Sequence, residues 1–302
     1  MKSLWFEGPR RVVVRDEELP AATAGAVVVR GLASAVSQGT ELLLFKGEGP
    51  TPFDPSMGAQ TYPTRYGYAW VGALEDGTRV FGLLPHGDAH VVSPSALRVL
   101  PPEVPAARAT LAANLETAIT CAWDAEVPFG ANVTVFGGGV VGLSIAWILR
   151  RSASVRVIEP SAARMAIAEK LGLGAEHDEA DVVIEATGDP RVLDRAIACA
   201  APGGRIVVAS FYGERTAPIA LGDAFHRKRL TLVASQVSTI PPRLSMRWSY
   251  ARRFELVRTL LHDPALDALL APPVRFEDAP ALYARLAAGQ DDDPPCHVFE
   301  YA

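Results

Sequence analysis

Three glycines at GxGxxG spacing, Gly137, Gly139 and Gly142, are the residues of this chain whose placement bears most directly on chemistry. They lie in Val133-Thr134-Val135-Phe136-Gly137-Gly138-Gly139-Val140-Val141-Gly142, which reads as a buried strand, a tight turn and a helix start. In that setting the first glycine permits the turn, the second lets backbone approach a pyrophosphate, and the third lets the helix pack close on the strand. The free N–H groups of the first helical turn, around Val141, then face the phosphates. A second β-rich run, Ser154-Val155-Arg156-Val157-Ile158, ends at Glu159, at about the 20-residue interval where a dinucleotide fold carries an acid. A carboxylate there accepts hydrogen bonds from the adenosine ribose hydroxyls and repels a 2′-phosphate, so NAD is expected ahead of NADP. Arg164, in the following helix, is the residue that can reverse this preference by reaching a 2′-phosphate.

These groups need a parallel sheet to carry them, and the second half of the chain has the pattern for one. From Asn132 onward apolar strands alternate with helical stretches, as parallel α/β folds require. Asp181-Val182-Val183-Ile184-Glu185-Ala186-Thr187-Gly188 is one further strand with its turn, and runs ending at Ser210 and at Ser235-Gln236 are two more. Ligands sit at the carboxyl ends of such strands, which makes Thr187, Ser210, Ser235 and Gln236 candidate cofactor neighbours. The crossing from Gly174 to Asp181 is too short for another strand and helix, so a trimmed sheet is expected. The first third of the chain carries short β-type runs, such as Val12-Val13-Val14 and Ala26-Val27-Val28-Val29, between Pro and Gly clusters. Helices are expected over 111–126, 143–151 and 250–261 and around 281–286, with a last strand near Val298. Asp291-Asp292-Asp293-Pro294-Pro295 reads as a solvated turn.

Composition narrows the function classes. With 49% apolar and 21% charged residues among 302, the chain can bury a large core, most simply in two domains. A net charge of -5 argues against a nucleic-acid partner, and the pairs Arg10-Arg11 and Arg252-Arg253 are expected on solvated faces. Residues 1–5 do not resemble a secretory leader, and the three glycines inside 133–149 disqualify that apolar stretch as a membrane span. A cytoplasmic protein without a membrane partner is expected. Cys121, Cys199 and Cys296 are scattered, so neither a disulfide framework nor a four-cysteine zinc lobe can be built. His86 and His90 fall in a loop entering a strand and are expected to be unrelated surface histidines.

Over nearly its whole length the chain resembles the medium-chain dehydrogenases/reductases. Segments 1–9, 34–41, 63–72 and 114–124, the GxGxxG, 181–188, 203–213 and Ser235-Gln236 occur in the family's order. The resemblance implies an α/β architecture: a Rossmann dinucleotide-binding domain over 121–244, a GroES-like β-rich catalytic domain from 1–120 and 245–302, and pairing into a homodimer. It also implies hydride transfer between NAD and a small-molecule alcohol or ketone. Zinc-dependent members carry a cysteine where this chain has Ser37, and the histidine of a Gly-His-Glu motif where it has Tyr68 in Gly67-Tyr68-Ala69. Glu116 matches a position where some members place a ligand. A serine, a tyrosine and one carboxylate are a poor set for Zn²⁺, so a zinc-independent branch with no metal is expected.

Without a Lewis acid the substrate oxygen must be stabilised by hydrogen bonds, and Tyr68 is the expected donor, with Ser37 sharing the role. Thr40 is a proton-relay candidate, although the family's relay residue aligns with Gly39. Glu116 is expected to act as a base or to orient Tyr68, and Thr120 resembles a residue near the nicotinamide. Three alternatives stay open: reduction of an activated C=C bond in the manner of quinone or enoyl reductases, a non-catalytic nucleotide-binding protein, and a tetrapyrrole substrate. The last arises because 37–41 and 67–72 are similar to bacteriochlorophyll-pathway hydroxyethyl dehydrogenases.

Overall fold

The computed structural model describes residues 1–49, 61–216, 219–291 and 294–301. The chain divides into two compact units, Met1–Ala113 with Arg258–Ala302, and Asn114–Val257. Both divisions fall inside helices, Ala112–Ala125 and Tyr250–Leu260, where the expected borders are 120/121 and 244/245.

The second unit carries a five-stranded parallel sheet. Its order is Ser154–Ile158, Asn132–Phe136, Ala180–Glu185, Ala200–Val208, Thr231–Ala234. The winding direction reverses beside Asn132–Phe136, and the crevice at the carboxyl ends of that strand and Ala180–Glu185 is the switch point where doubly wound sheets bind ligands. The sheet is trimmed as the short crossing implies. After the helix Ala162–Lys170, Gly174 makes one antiparallel bridge to Arg156 and the chain runs directly into Ala180–Glu185.

Ser154–Ile158 is therefore an edge strand, and it alternates, with Val155 and Val157 buried and Arg156 and Ile158 only partly so. That is the pattern of a strand covered on one face, not of the doubly covered strands usual in parallel sheets. His177, in the shortened crossing, takes the place of missing structure. Its Nε2 lies 2.9 Å from the fully buried Thr134 hydroxyl, and its carbonyl accepts from Arg156 Nη1 at 3.1 Å. Burial and the Arg156 charge hold the His177 imidazole below its ordinary range.

The first unit holds a seven-stranded and a three-stranded sheet, mostly antiparallel. The helix Ala279–Ala287 presents Ala279, Leu282, Tyr283 and Leu286 at i, i+3, i+4, i+7 to this core. There Tyr283 meets Phe6 edge-on with ring centroids 5.3 Å apart, and packs against Phe45 and Phe299.

Two surface expectations are corrected here. His86 is fully buried, edge-on to Phe299, and His90 is 7% exposed, because the strand Ala89–Val92 pairs with Val27–Ala35 and turns the His90 imidazole onto Trp70. Asp291 is not solvated either. Its carboxylate satisfies buried neighbours, lying 2.9 Å from His297 Nε2 and accepting from Gln38 Nε2 at 3.3 Å, while residues 292 and 293 of that expected turn lie outside the described residues. The three cysteines are free, and burial pushes the Cys121 and Cys296 thiols up to about 12. Among the described residues no helix is long and apolar enough to cross a membrane.

Candidate active site

The glycine turn behaves as its spacing predicts. Gly137 has φ +106°, and a Cβ there would lie 2.6 Å from the Ala186 carbonyl oxygen, so only glycine fits between the two strand-end loops. A Cβ on Gly142 would lie 2.0 Å from the Gly137 oxygen. Gly139 differs, since a Cβ there would meet no protein atom within 4 Å. It caps the helix Val140–Leu149 without a side-chain bond, which leaves the first-turn N–H groups, Val141 included, for an anion. The turn is thus packed tightly on its protein side and open on the other, a cradle that fits a pyrophosphate.

Glu159 folds back onto this turn, accepting from Gly138 N at 2.7 Å and Ser161 N at 2.9 Å. Its carboxylate therefore stands at the turn where an adenosine ribose would be read. Arg164 lies in the first turn of Ala162–Lys170, its N–H capped by Ser161 Oγ at 3.4 Å.

At the next strand ends Thr187 and Ser210 come together, because Gly188 N donates to Ser210 Oγ at 2.9 Å. The organiser is Glu185, which sequence reasoning passed over. Fully buried, it accepts from Thr187 N at 2.6 Å and from the Thr187 and Tyr212 hydroxyls. Burial and this carboxylate raise the Tyr212 phenol far above its ordinary value. Ser235 donates to Asp124 Oδ2 at 2.7 Å, and exposed Gln236 accepts from Ser238 N.

Thr120 and Glu116 are otherwise engaged. Thr120 is fully buried, donating to the Glu116 carbonyl at 2.9 Å and accepting from Arg253 Nη1 at 2.8 Å. Arg253 Nε and Nη2 each lie 3.1 Å from Glu116 Oε1. Glu116 is thus paired with the Arg253 guanidinium inside its own unit. Arg253 itself is 4% exposed, correcting the solvated face expected for Arg252-Arg253. Helical rotation leaves Arg252 outside, over the Trp248 ring, and turns Arg253 inward.

The first unit gathers the other candidates. Ser37 precedes the helix Thr40–Lys46, and Tyr68 lies between the strands Thr64–Arg65 and Trp70–Ala73. The Tyr68 hydroxyl donates to Ser37 Oγ, and the Thr40 hydroxyl also bonds the phenol. Burial lifts Tyr68 above the ordinary phenol range, and the Glu41 charge adds to the effect. Beneath this pair lies a buried set that the sequence did not single out. Glu41 Oε1 accepts from Ser37 N at 3.0 Å, and Oε2 lies 3.0 Å from His86 Nε2 and accepts from Tyr283 Oη. Ser37 and Tyr68 do not fit Zn²⁺: a hydroxyl and a phenol bonded to each other replace the thiolate and imidazole that the ion prefers.

The chain is similar to several known proteins. A family model described as zinc-binding dehydrogenase matches residues 157–254. D-guloside 3-dehydrogenase of Escherichia coli is 26% identical, with 94% of this chain and 95% of that one covered. The 2-desacetyl-2-hydroxyethyl bacteriochlorophyllide A dehydrogenase of Cereibacter sphaeroides is 28% identical over 70% of this chain and 74% of its own length. Geraniol dehydrogenase of Castellaniella defragrans is 38% identical, but this match spans only 26% of either chain. A solved short chain alcohol dehydrogenase from E. coli, complexed with NADH, superposes with a TM-score of 0.80 at 18% identity, covering 100% of this chain and 99% of that one. The fold is that of a Rossmann unit joined to a GroES-like β-rich unit.

Proposed function

Because the chain belongs to the medium-chain dehydrogenase/reductase superfamily, we propose that it is a zinc-independent, NAD(H)-dependent oxidoreductase acting on a small secondary alcohol or ketone. The observation that carries this reading is the hydrogen-bonded pair of Tyr68 and Ser37, at the positions where the family resemblance would put the ligands of zinc-dependent members. Relatives named as dehydrogenases of a guloside, of geraniol and of a hydroxyethyl bacteriochlorophyllide support a CH–OH group as the reacting centre.

The open side of Gly139 and the end of helix Val140–Leu149 would hold the pyrophosphate, and Glu159 the adenosine ribose. A bound nicotinamide supplies or accepts the hydride. The rest falls to side chains. Raised by burial, the Tyr68 phenol stays protonated at neutral pH and donates to the substrate oxygen as negative charge builds there. Ser37, its partner, offers a second hydroxyl, and Thr40 a third contact on the phenol.

The bacteriochlorophyllide relative supports a second reading, the same chemistry on the side chain of a tetrapyrrole. The exposed edge Thr231–Ala234 supports a homodimer joined through the sheet, and a cytoplasmic location goes with both readings. The test is a panel of secondary alcohols and ketones followed by NADH absorbance, with Tyr68→Phe as the control. Turnover should fall about 10²–10³-fold in the variant while NADH affinity holds. Saturation of enones alone would point to C=C reduction, NADH binding without turnover of any compound to a non-catalytic protein, and full turnover in Tyr68→Phe to a packing role for the ring.

A further inference from the structure

We propose that Glu41 is a positioning residue for the Ser37–Tyr68 pair, itself fixed in place by a one-way chain of hydrogen bonds that begins at Gly87 N–H and passes through Tyr301, Ser34 and His86. This rests on the reading of Ser37 and Tyr68 as the reacting pair.

The direction of the chain follows from which atoms can donate. Gly87 N can only donate, and it does so to Tyr301 Oη at 3.0 Å. Tyr301 Oη lies 2.5 Å from Ser34 Oγ, Ser34 Oγ lies 2.6 Å from His86 Nδ1, and His86 Nε2 lies 3.0 Å from Glu41 Oε2. Ser34, His86 and Glu41 are fully buried, so water cannot complete the set. An ionised carboxylate accepts only, which places the imidazole proton on Nε2. With the imidazole neutral, the state this proposal assigns to it, Nδ1 accepts from Ser34 O–H, and Ser34 from Tyr301 O–H. Each hydroxyl thus has one assignment, and all of them point toward Glu41. Tyr283 donates to the same carboxylate, which is therefore met by three donors once Ser37 N is counted.

His86 touches both arms of the reacting pair. Through Glu41 it reaches Ser37, where two reciprocal bonds close the turn: Ser37 N to Glu41 Oε1 at 3.0 Å and Glu41 N to Ser37 O at 2.9 Å. On the other side it packs against Gly67, the residue before Tyr68, where a Cβ would lie 2.9 Å from the imidazole Cδ2. His86 N also donates to the Tyr66 carbonyl at 3.1 Å. The imidazole and Glu41 thereby fix the two backbone segments whose hydroxyls meet. A set fixed this rigidly loses little entropy when a substrate oxygen arrives.

The experiment is NMR on the full chain with ¹⁵N-labelled histidine and ¹³Cζ-labelled tyrosine, the signals assigned by their loss in His86→Gln and Tyr68→Phe. At pH 7 His86 should be neutral with its proton on Nε2. In Glu41→Gln the amide keeps its carbonyl on Ser37 N–H and must donate at the other oxygen position. The His86 proton should therefore move to Nδ1, with the Tyr68 signal retained. In Glu41→Ala the Ser37 clamp is gone, and the Tyr68 signal should shift toward that of a solvated tyrosine. A doubly protonated His86, a proton on Nδ1 in the wild type, or an unmoved Tyr68 signal in Glu41→Ala would overturn the proposal. If Glu41→Ala does not fold, the wild-type tautomer decides. No cofactor or substrate enters these measurements, so their failure is separate from a failure of Tyr68→Phe to change turnover.

Discussion

Gly139 and Gly142 lie three residues apart in one motif, and the structure predicts opposite consequences for filling them. Gly139 has φ −73° and open space where a Cβ would point, so Gly139→Val adds no clash and no backbone strain to the free protein. Its branched side chain instead occupies the space assigned to the pyrophosphate. Displacing two charge-assisted hydrogen bonds, each about 1.5–3 kcal/mol, costs roughly 3–6 kcal/mol and weakens NADH binding about 10²–10⁴-fold. Gly142→Ala drives a methyl to 2.0 Å from the Gly137 oxygen, and the helix must move off the strand. Overpacking of this kind costs about 1–3 kcal/mol, a loss of roughly 2–4 °C in Tm for each kcal/mol, with no cofactor present. NADH fluorescence titration and a cofactor-free thermal melt of both variants separate the two effects. A folded Gly139→Val protein that binds NADH within threefold of the wild type would refute the assignment of this turn to the pyrophosphate.

Other outcomes are as specific. NADH should bind more tightly than NADPH, and Glu159→Gln should narrow the gap; a tighter NADPH constant in the wild type would transfer the decision to Arg164. Elemental analysis of protein purified without added metal should find well under one zinc per chain, with activity indifferent to chelators, because Ser37 and Tyr68 offer a hydroxyl and a phenol; stoichiometric zinc would overturn the zinc-free reading. Burial, with the Arg65 charge second, holds the His90 imidazole at about 4, below its value of 6.5 when unfolded. The unfolded chain therefore takes up a proton first as pH falls. Stability is full above pH 6.5 and drops by about 3 kcal/mol between there and pH 4. Urea unfolding across that window should show the loss, and His90→Phe, which keeps a ring against Trp70, should flatten it.

Much of the nucleotide-binding unit was legible because its constraints are local. A GxGxxG between a strand and a helix is a statement about neighbouring backbone atoms, and the clash distances at Gly137 and Gly142 restate it in space. The short crossing after Gly174 foretold the trimmed sheet in the same way, since chain length alone forbids another strand and helix.

Side chains whose meaning depends on distant partners were not legible. Arg253 was expected with Arg252 on a solvated face, yet helical rotation buries it against Glu116, far away in sequence. Glu185 carries no local signal in the sequence, and its meaning comes from Tyr212 and Thr187, which donate to it. The sequence by itself determined the order of the elements in the second unit and the glycine turn, with an acid, Glu159, at the end of the following strand. Only the tertiary structure decided that the Ser37 and Tyr68 hydroxyls bond each other, that Glu116 pairs with Arg253, and that Glu41 and His86 lie buried beneath the Ser37–Tyr68 pair. Backbone turns are set by residues next to one another, whereas the charge and hydrogen bonds of a buried side chain are set by whatever the fold brings against it.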